Sequence, residues 1–288
     1  MTVTTSTLPA LARGNVAVVT GAASGIGFAA ARRFAEMGLR VAAADRAGPA
    51  LDHALGVLSA AASGGPEDVI AVACDVTRPA DLARLAEETA TVLGPVSVLM
   101  NNAGSGDNPG KPWENPDRWR ALLEVNYWGI VNGVQAFVPA MLAGGRPGLI
   151  VNTGSKQGIT TPPGNLAYNV SKAAVKTFTE GLAHALRNEP GAALSAHLLI
   201  PGFTFTGMTQ GATDKPAGAW TPDQVVDFML ASVEHKDFYI LCPDNDVDRR
   251  TDEKRMAWAI GDVIANRPAL SRWHPDYASA FAAYLREG

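Results

Sequence analysis

Short, continuously apolar runs alternate with segments of helical period along most of this chain, and that alternation leaves few folds open. The runs are Val16 to Val19, Val41 to Ala44, Val69 to Ala73, Val96 to Met100, Leu149 to Asn152, Leu194 to Ile200 and Phe238 to Leu241. Between them lie Ile26 to Met37, Leu51 to Ala62, a segment whose Leu82, Leu85, Ala86, Thr89 and Leu93 share one helical face, then Asp117 to Leu142, Ala167 to Arg187 and Thr221 to Val233. Strands that are apolar at every position are buried on both faces. The pattern therefore predicts a doubly wound α/β fold, a parallel sheet with helices on each side.

No linker rich in Pro, Gly or Ser divides the pattern, and no repeat of fixed period appears. A single domain over residues 13–243 is expected, with a frayed tail rich in Thr and Ser at residues 1–12 and a helical C-terminal extension at residues 244–288. In the extension Tyr277, Phe281 and Tyr284 are spaced by four and three, so they share one face of a short helix. Together with Trp258 and Trp273 they are expected to pack on the same subunit or a neighbouring one; lining a substrate pocket is the second reading.

The 288 residues suffice for a large core, and 47% hydrophobic with 18% charged residues is a soluble globular composition. A formal net charge of -4 advertises no basic face for nucleic acid or anionic membrane. Cys74 and Cys242 fall in apolar runs without a neighbouring His or Cys, which reads as buried free thiols in a reducing compartment. His53, His184, His197, His235 and His274 are scattered, so no metal is expected. Residues 1–11 lack a basic segment followed by an apolar one, and no run reaches the roughly 18 apolar residues of a membrane span. A cytoplasmic location is expected.

Directly after the first strand come Thr20, Gly21, Ala22, Ala23, Ser24, Gly25, Ile26 and Gly27, opening into a helix. Glycines there permit a tight turn and let backbone N–H groups approach a pyrophosphate at the positive end of the helix dipole. The second strand ends in Asp45, eighteen residues past Gly27, where a carboxylate accepts hydrogen bonds from ribose hydroxyls and repels a 2'-phosphate. That favours NAD over NADP. Arg46 pulls the other way, because a guanidinium there pairs with a 2'-phosphate. Asp75, followed by Val76 after the third strand, has two readings: an acceptor for the adenine amino group, or a cap for the next helix.

In the helix from Ala167, Tyr168 and Lys172 are four residues apart and so point the same way. An ammonium beside a phenol favours phenolate and lowers its pKa, making a tyrosine able to move protons near neutral pH. Asn101, Asn102, Ala103 and Gly104 sit at the carboxyl end of a strand, where open α/β sheets place ligands. Asn126 lies in the following helix, and Ser155 follows a strand thirteen residues before the tyrosine.

At these residues the chain resembles the short-chain dehydrogenase/reductase family. Thr20 to Gly27 match its Thr-Gly-x-x-x-Gly-x-Gly motif, Asn101 to Gly104 its Asn-Asn-Ala-Gly motif, and Asn126, Ser155, Tyr168 and Lys172 its catalytic set. Pro201, Gly202 and Thr206 match its Pro-Gly-x-x-x-Thr motif, and the likeness spans about residues 13–242. The usual Ser-Ser pair reads Gly154, Ser155 here, and the family pattern says nothing of the segment after Cys242. The resemblance implies a Rossmann-type fold and reversible hydride transfer between a secondary alcohol or ketone and a nicotinamide. Tyr168 would be the acid/base and Ser155 a second donor to the carbonyl oxygen. Lys172 would lower the phenol pKa and bind the nicotinamide ribose. Asn126 would hold a relay water. Cofactor contacts would come from Gly21, Ser24, Gly25, Ile26, Gly27, Asp45, Arg46, Asp75, Val76, Asn102, Ala103, Gly104, Pro201, Gly202, Thr204 and Thr206 besides Tyr168 and Lys172. A homotetramer or dimer built on the Asp117 and Tyr168 helices is also implied.

The segments that line the family's substrate pocket read Ser105 to Trp113, Lys156 to Leu166 and Phe203 to Trp220 here. Trp113, Phe203, Phe205, Met208 and Trp220 suit an apolar or aromatic substrate, and the Gly and Ala content of Gly207 to Ala219 suggests a lid. Lys156 either meets a carboxylate or faces away. The other readings are an NADPH-dependent carbonyl or 3-oxoacyl reductase, a dehydratase or epimerase that uses the cofactor transiently, and a non-catalytic dinucleotide sensor.

Overall fold

In the computed structural model, which describes residues 8–208 and 214–286, the apolar runs become β1 (Val16–Thr20), β2 (Arg40–Asp45), β3 (Val69–Ala73), β4 (Val96–Asn101), β5 (Gly148–Thr153), β6 (Leu194–Ile200) and β7 (Tyr239–Leu241). They form one parallel sheet in the order β3-β2-β1-β4-β5-β6-β7. The chain steps outward from β1 to β3, then restarts at β4 on the other side of β1. That reversal opens a crevice at the carboxyl ends of the strands.

The period-two alternation within each strand sends side chains to two separate cores. Ala17, Val19, Val41, Ala43, Met100 and Val151 pack against α1 (Gly25–Glu36), α2 (Pro49–Ala61) and α8 (Pro222–Glu234). Val16, Val18, Ala42, Ala44, Leu99 and Ile150 face α3 (Pro79–Val92), α5 (Gly129–Ala143) and the far end of α7 (Leu166–Asn188). Fully buried side chains such as Phe34 and Leu99 each contribute about 1.5–3 kcal/mol through surface removed from water. Pro49, Pro79, Pro116 and Pro222 stand in the first turn of their helices, where a missing N–H costs nothing.

Three expectations need correction. The predicted Asp117 to Leu142 helix is α4 (Pro116–Leu123) and α5 joined by a π turn at Glu124–Trp128, which carries Asn126 inward to full burial. The frayed tail does not extend to residue 12: Pro9–Leu11 form a short 3-10 turn, Ala10 and Leu11 join the core, and the Asn15 amide donates to Pro9 O at 2.7 Å. Tyr277 stands outside the helix that carries Phe281 and Tyr284, in a separate turn opened by Pro275, and the Tyr277 ring meets His274. Phe281 and Tyr284, on α10 (Ala278–Arg286), pack on Trp258 of α9 (Arg249–Ile264) with ring centroids 5.2 and 5.3 Å away. Through Met256, α9 reaches the apolar cluster that also holds Ile159 of the short α6 (Gln157–Thr160). Among the described residues no helix is long and apolar enough to cross a membrane.

Candidate active site

The crevice is a cleft of about 800 Å³ at the carboxyl ends of β1, β2, β4 and β5. Its first wall is the β1–α1 turn. Gly21 and Gly25 have φ of +70° and +58°, conformations that an L side chain adopts only under strain. A Cβ at Gly21 would lie 2.8 Å from Ala103 Cα, so this turn and the Asn102 strand end are in backbone contact. Thr20 ties them: its hydroxyl accepts from Asn102 N–H at 3.0 Å and Ala103 N–H at 3.2 Å.

Asp45 closes β2 against that turn. One carboxylate oxygen accepts from Ala23 N–H at 2.9 Å and the other from Arg46 N–H at 2.8 Å, which fixes the group at the rim of the cleft. Arg46 lines the cleft beside it. Asp75 lines the cleft and does not cap α3, whose N-cap is Arg78; its Oδ1 accepts from Thr77 N–H at 3.0 Å and from the Thr77 hydroxyl at 2.8 Å, in the turn before that helix. Burial pushes its carboxyl pKa up, but the Thr77 hydrogen bonds and the charges of Arg78 and Arg46 outweigh that and hold it below the ordinary value.

At the floor Tyr168 and Ser155 line the cleft together, close enough for the Ser155 side chain to act on the phenol. Lys172 is buried and donates to Thr153 O at 2.8 Å, its Nζ 5.7 Å from the centre of the Tyr168 ring. Burial lowers its pKa to about 8. The expectation that Lys172 depresses the phenol is not met here: burial of Tyr168 raises its pKa, more than the neighbouring Ser155 side chain lowers it. The same burial disfavours the charged ammonium, which weakens the pull of Lys172 on the phenol.

Asn126 lies behind this pair and outside the cleft lining. Its Oδ1 accepts from Ser105 N–H at 2.7 Å, and its Nδ2 donates to Ser105 O and Ser171 Oγ, both at 3.0 Å. Both amide hydrogens are spent holding the segment after Gly104 to α7. Gly27 is also absent from the lining, packed under the turn against Gly21 O and Asn102. Every other residue expected at the site lines the cleft: Gly21, Ser24, Gly25, Ile26, Asp45, Arg46, Asp75, Val76, Asn102, Ala103, Gly104, Ser155, Tyr168, Lys172, Pro201, Gly202, Thr204 and Thr206. Sequence reasoning missed Thr153, which accepts from Lys172 through its carbonyl and donates to Asn102 Oδ1 at 3.2 Å. Its place at the end of β5, just before Gly154 and Ser155, was the available signal.

Of the five substrate-pocket candidates, Phe203 and Met208 line the cleft. Trp113 stands 79% exposed, outside the lining. Trp220 is paired with the 203–205 backbone, donating from N–H to Phe203 O at 2.9 Å, and its ring packs on Phe228 of α8. Phe205 is drawn into the same pairing, donating to Trp220 O at 2.9 Å. Residues 209–213, in the stretch expected to form a lid, lie outside the described residues.

The cleft suits a dinucleotide: a helix N-terminus beneath a glycine turn for phosphates, a fixed carboxylate at the end of β2, and a buried ammonium beside a phenol and a hydroxyl. The chain also matches the short chain dehydrogenase family over residues 15–217. It is 36% identical to a 1-deoxy-11-beta-hydroxypentalenate dehydrogenase of Streptomyces avermitilis, over 85% of this chain and 90% of the relative. Among solved structures, a short chain dehydrogenase/reductase from Burkholderia phymatum in complex with NAD superposes with a TM-score of 0.79 at 30% identity, covering 88% of this chain and 96% of that one. A 3-ketoacyl-(acyl-carrier-protein) reductase from Brucella melitensis complexed with NADH gives 0.71 at 26% identity, covering 81% and 98%. Fold, motif order and relatives agree, and the chain belongs to the short-chain dehydrogenase/reductase family as an NAD(P)-dependent oxidoreductase acting on CH–OH groups.

Proposed function

We propose that the protein interconverts an apolar secondary alcohol and its ketone with NAD(H), using Tyr168 as general acid/base. The observation that carries this reading is the convergence of Ser155, Tyr168 and Lys172 on one cleft lining, with Lys172 four residues along the same helix as Tyr168. A bound nicotinamide supplies or accepts the hydride. A carbonyl oxygen gains negative charge as hydride arrives, so two donors aimed at it lower the barrier. Ser155 donates from its hydroxyl, and Tyr168, neutral at pH 7, delivers the proton. Lys172 returns a proton toward Tyr168 and holds ribose hydroxyls. The turns at Gly21 and Gly202 hold the ends of the cofactor, while Phe203 and Met208 present an apolar wall to the substrate.

Asp45 supports NAD as the partner: two backbone N–H groups hold its carboxylate at the cleft rim, and a carboxylate at the end of the second strand accepts from ribose hydroxyls and repels a 2'-phosphate. The NAD-bound Burkholderia structure and the hydroxy compound in the Streptomyces relative's name agree with this reading. Arg46, lining the same rim, favours the second reading, an NADPH-dependent carbonyl or 3-oxoacyl reductase. The deciding experiment follows NADH and NADPH oxidation in parallel against aryl ketones, cyclic ketones, steroids and 3-oxoacyl thioesters. Asp45→Ala should shift the kcat/KM ratio of NADH over NADPH by about 10–100-fold toward NADPH, as expected when a like-charge clash is removed. An unchanged ratio would mean that Asp45 does not read the ribose.

Assembly into a homo-oligomer through α5 and α7 belongs to this reading. Trp128, Leu166 and Val170 are large apolar side chains left 46%, 42% and 43% exposed on those helices or beside them. A monomer mass by light scattering at micromolar concentration would remove this part of it.

A further inference from the structure

The segment beyond β7 lies outside the residues 15–217 that match the family, yet it reaches back to the cleft at one point. Lys156 directly follows Ser155. Its Nζ lies 2.5 Å from Asp252 Oδ2 on α9 and 3.2 Å from Asp244 Oδ2 just past β7. All three side chains are secluded, with exposures of 14%, 5% and 7% for Lys156, Asp252 and Asp244. Lys156 therefore meets carboxylates of its own chain and is not held in reserve for one on a substrate.

The same cluster grips the opposite side of the cleft. Asp244 Oδ2 also accepts from Phe203 N–H at 3.2 Å, and the Lys156 N–H donates to Pro201 O at 3.3 Å. Gly202 is enclosed between them: a Cβ there would stand 2.6 Å from Asp244 Oδ2 and 2.9 Å from Lys156 Nζ. Two segments far apart in sequence, the Ser155 turn and the Pro201–Phe203 turn, are thus joined by the Lys156 N–H to Pro201 O bond and through the Lys156 ammonium and the Asp244 carboxylate, with Asp252 as the second carboxylate on the ammonium. The surplus negative charge faces Arg255 and Arg272, whose fields reach Asp252.

Apolar side chains of the same volume would hold α9 in place at least as firmly, because desolvating charges consumes much of what their attraction returns. The hydrogen bond from Lys156 Nζ to Asp244 Oδ2 adds direction, and Asp252 Oδ2 adds a second charge at 2.5 Å. We propose that Lys156, Asp244 and Asp252 are positioning residues through which the C-terminal extension sets the spacing between Ser155 and the Gly202 turn. The inference rests on the reading above that Ser155 and Gly202 serve the reaction. The extension then tunes turnover without touching substrate or cofactor.

The test compares Lys156→Met, Lys156→Arg and Ser155→Ala in the full chain. Turnover is measured with NADH and the most rapidly reduced ketone of the panel, NADH affinity by fluorescence titration, folding by thermal melting, and backbone order by amide hydrogen exchange. Lys156→Met should lower kcat about 10²-fold, the effect expected of roughly 1 Å of misplacement, while the ketone KM and NADH affinity stay within about threefold. Amides of residues 156–161 and of Phe203 should exchange at least about tenfold faster, with β1 and β2 unchanged. Lys156→Arg, which keeps the charge, should recover at least about a tenth of wild-type kcat. The proposal falls if folded Lys156→Met keeps its kcat and its exchange pattern, or if Lys156→Arg does no better. Full turnover in Ser155→Ala would instead remove the catalytic reading, and hydrogen exchange, which needs no substrate, would still decide the role of the cluster.

Discussion

Tyr168→Phe should lower turnover by about 10³-fold, within the range that a positioned general acid or base contributes, while NADH binding stays within about twofold. The substitution removes one hydroxyl and leaves the ring in place, so the packing of α7 is kept. On the proposed reading most cofactor contacts come from the glycine turn, Asp45 and the Gly202 turn, so the loss of one hydroxyl should leave them in place. A pH series adds a second readout. Burial raises the pKa of Tyr168, so near pH 7 the phenol is neutral and ready to protonate an alkoxide, whereas alcohol oxidation needs it deprotonated. Wild-type oxidation should therefore quicken as pH rises above neutrality, and the residual activity of the variant should lack that rise. Turnover above about a tenth of wild type in Tyr168→Phe would assign the proton to another group.

Much of the fold was legible because a strand buried on both faces has no polar positions to interrupt it. β3 and β6 begin and end where their apolar runs do, and β1, β2, β4 and β5 differ by a residue or two at their ends. The site was legible for a related reason: parallel strands deliver their carboxyl ends to one edge, so residues just past β1, β2, β4 and β5 had to converge. What stayed hidden depends on partners distant in the chain. Helical periodicity could not show the π turn around Asn126, since it answers to hydrogen bonds with Ser105 and Ser171. The aromatic residues after Pro201 looked equally able to line a pocket, but backbone pairing across Thr204 and Trp220 turns one indole into the core. Lys156 finds Asp244 at a separation of 88 residues, and no local pattern announces that. For the phenol pKa, local spacing reports the neighbouring charge and not the desolvation of both groups, which acts against it.

Gly27→Ala should cripple the cofactor site even though local propensity argues the other way. Gly27 sits in the first turn of α1 without a positive φ, so alanine there would gain up to about 1 kcal/mol of helix propensity. The new Cβ, however, would stand 2.2 Å from Gly21 O and 2.5 Å from Asn102 Nδ2. The first of these is backbone and cannot rotate away. Gly21 is itself wedged against Ala103, so relief must come from moving α1 away from the turn, at the 1–3 kcal/mol or so typical of overpacking. That exceeds the propensity gain and displaces the N–H groups meant for the pyrophosphate. NADH affinity should fall about 10²-fold and the melting temperature by a few degrees, roughly 2–4 °C per kcal/mol for a domain of this size. Gly181→Ala supplies the control: it lies on the exposed side of α7 with nothing within 4 Å of its Cβ position. There the propensity term acts alone, so about 0.5–1 kcal/mol of added stability and unchanged NADH binding are expected. Wild-type affinity in Gly27→Ala would show that the turn and helix can separate without loss, and that close approach at this glycine does not shape the phosphate site.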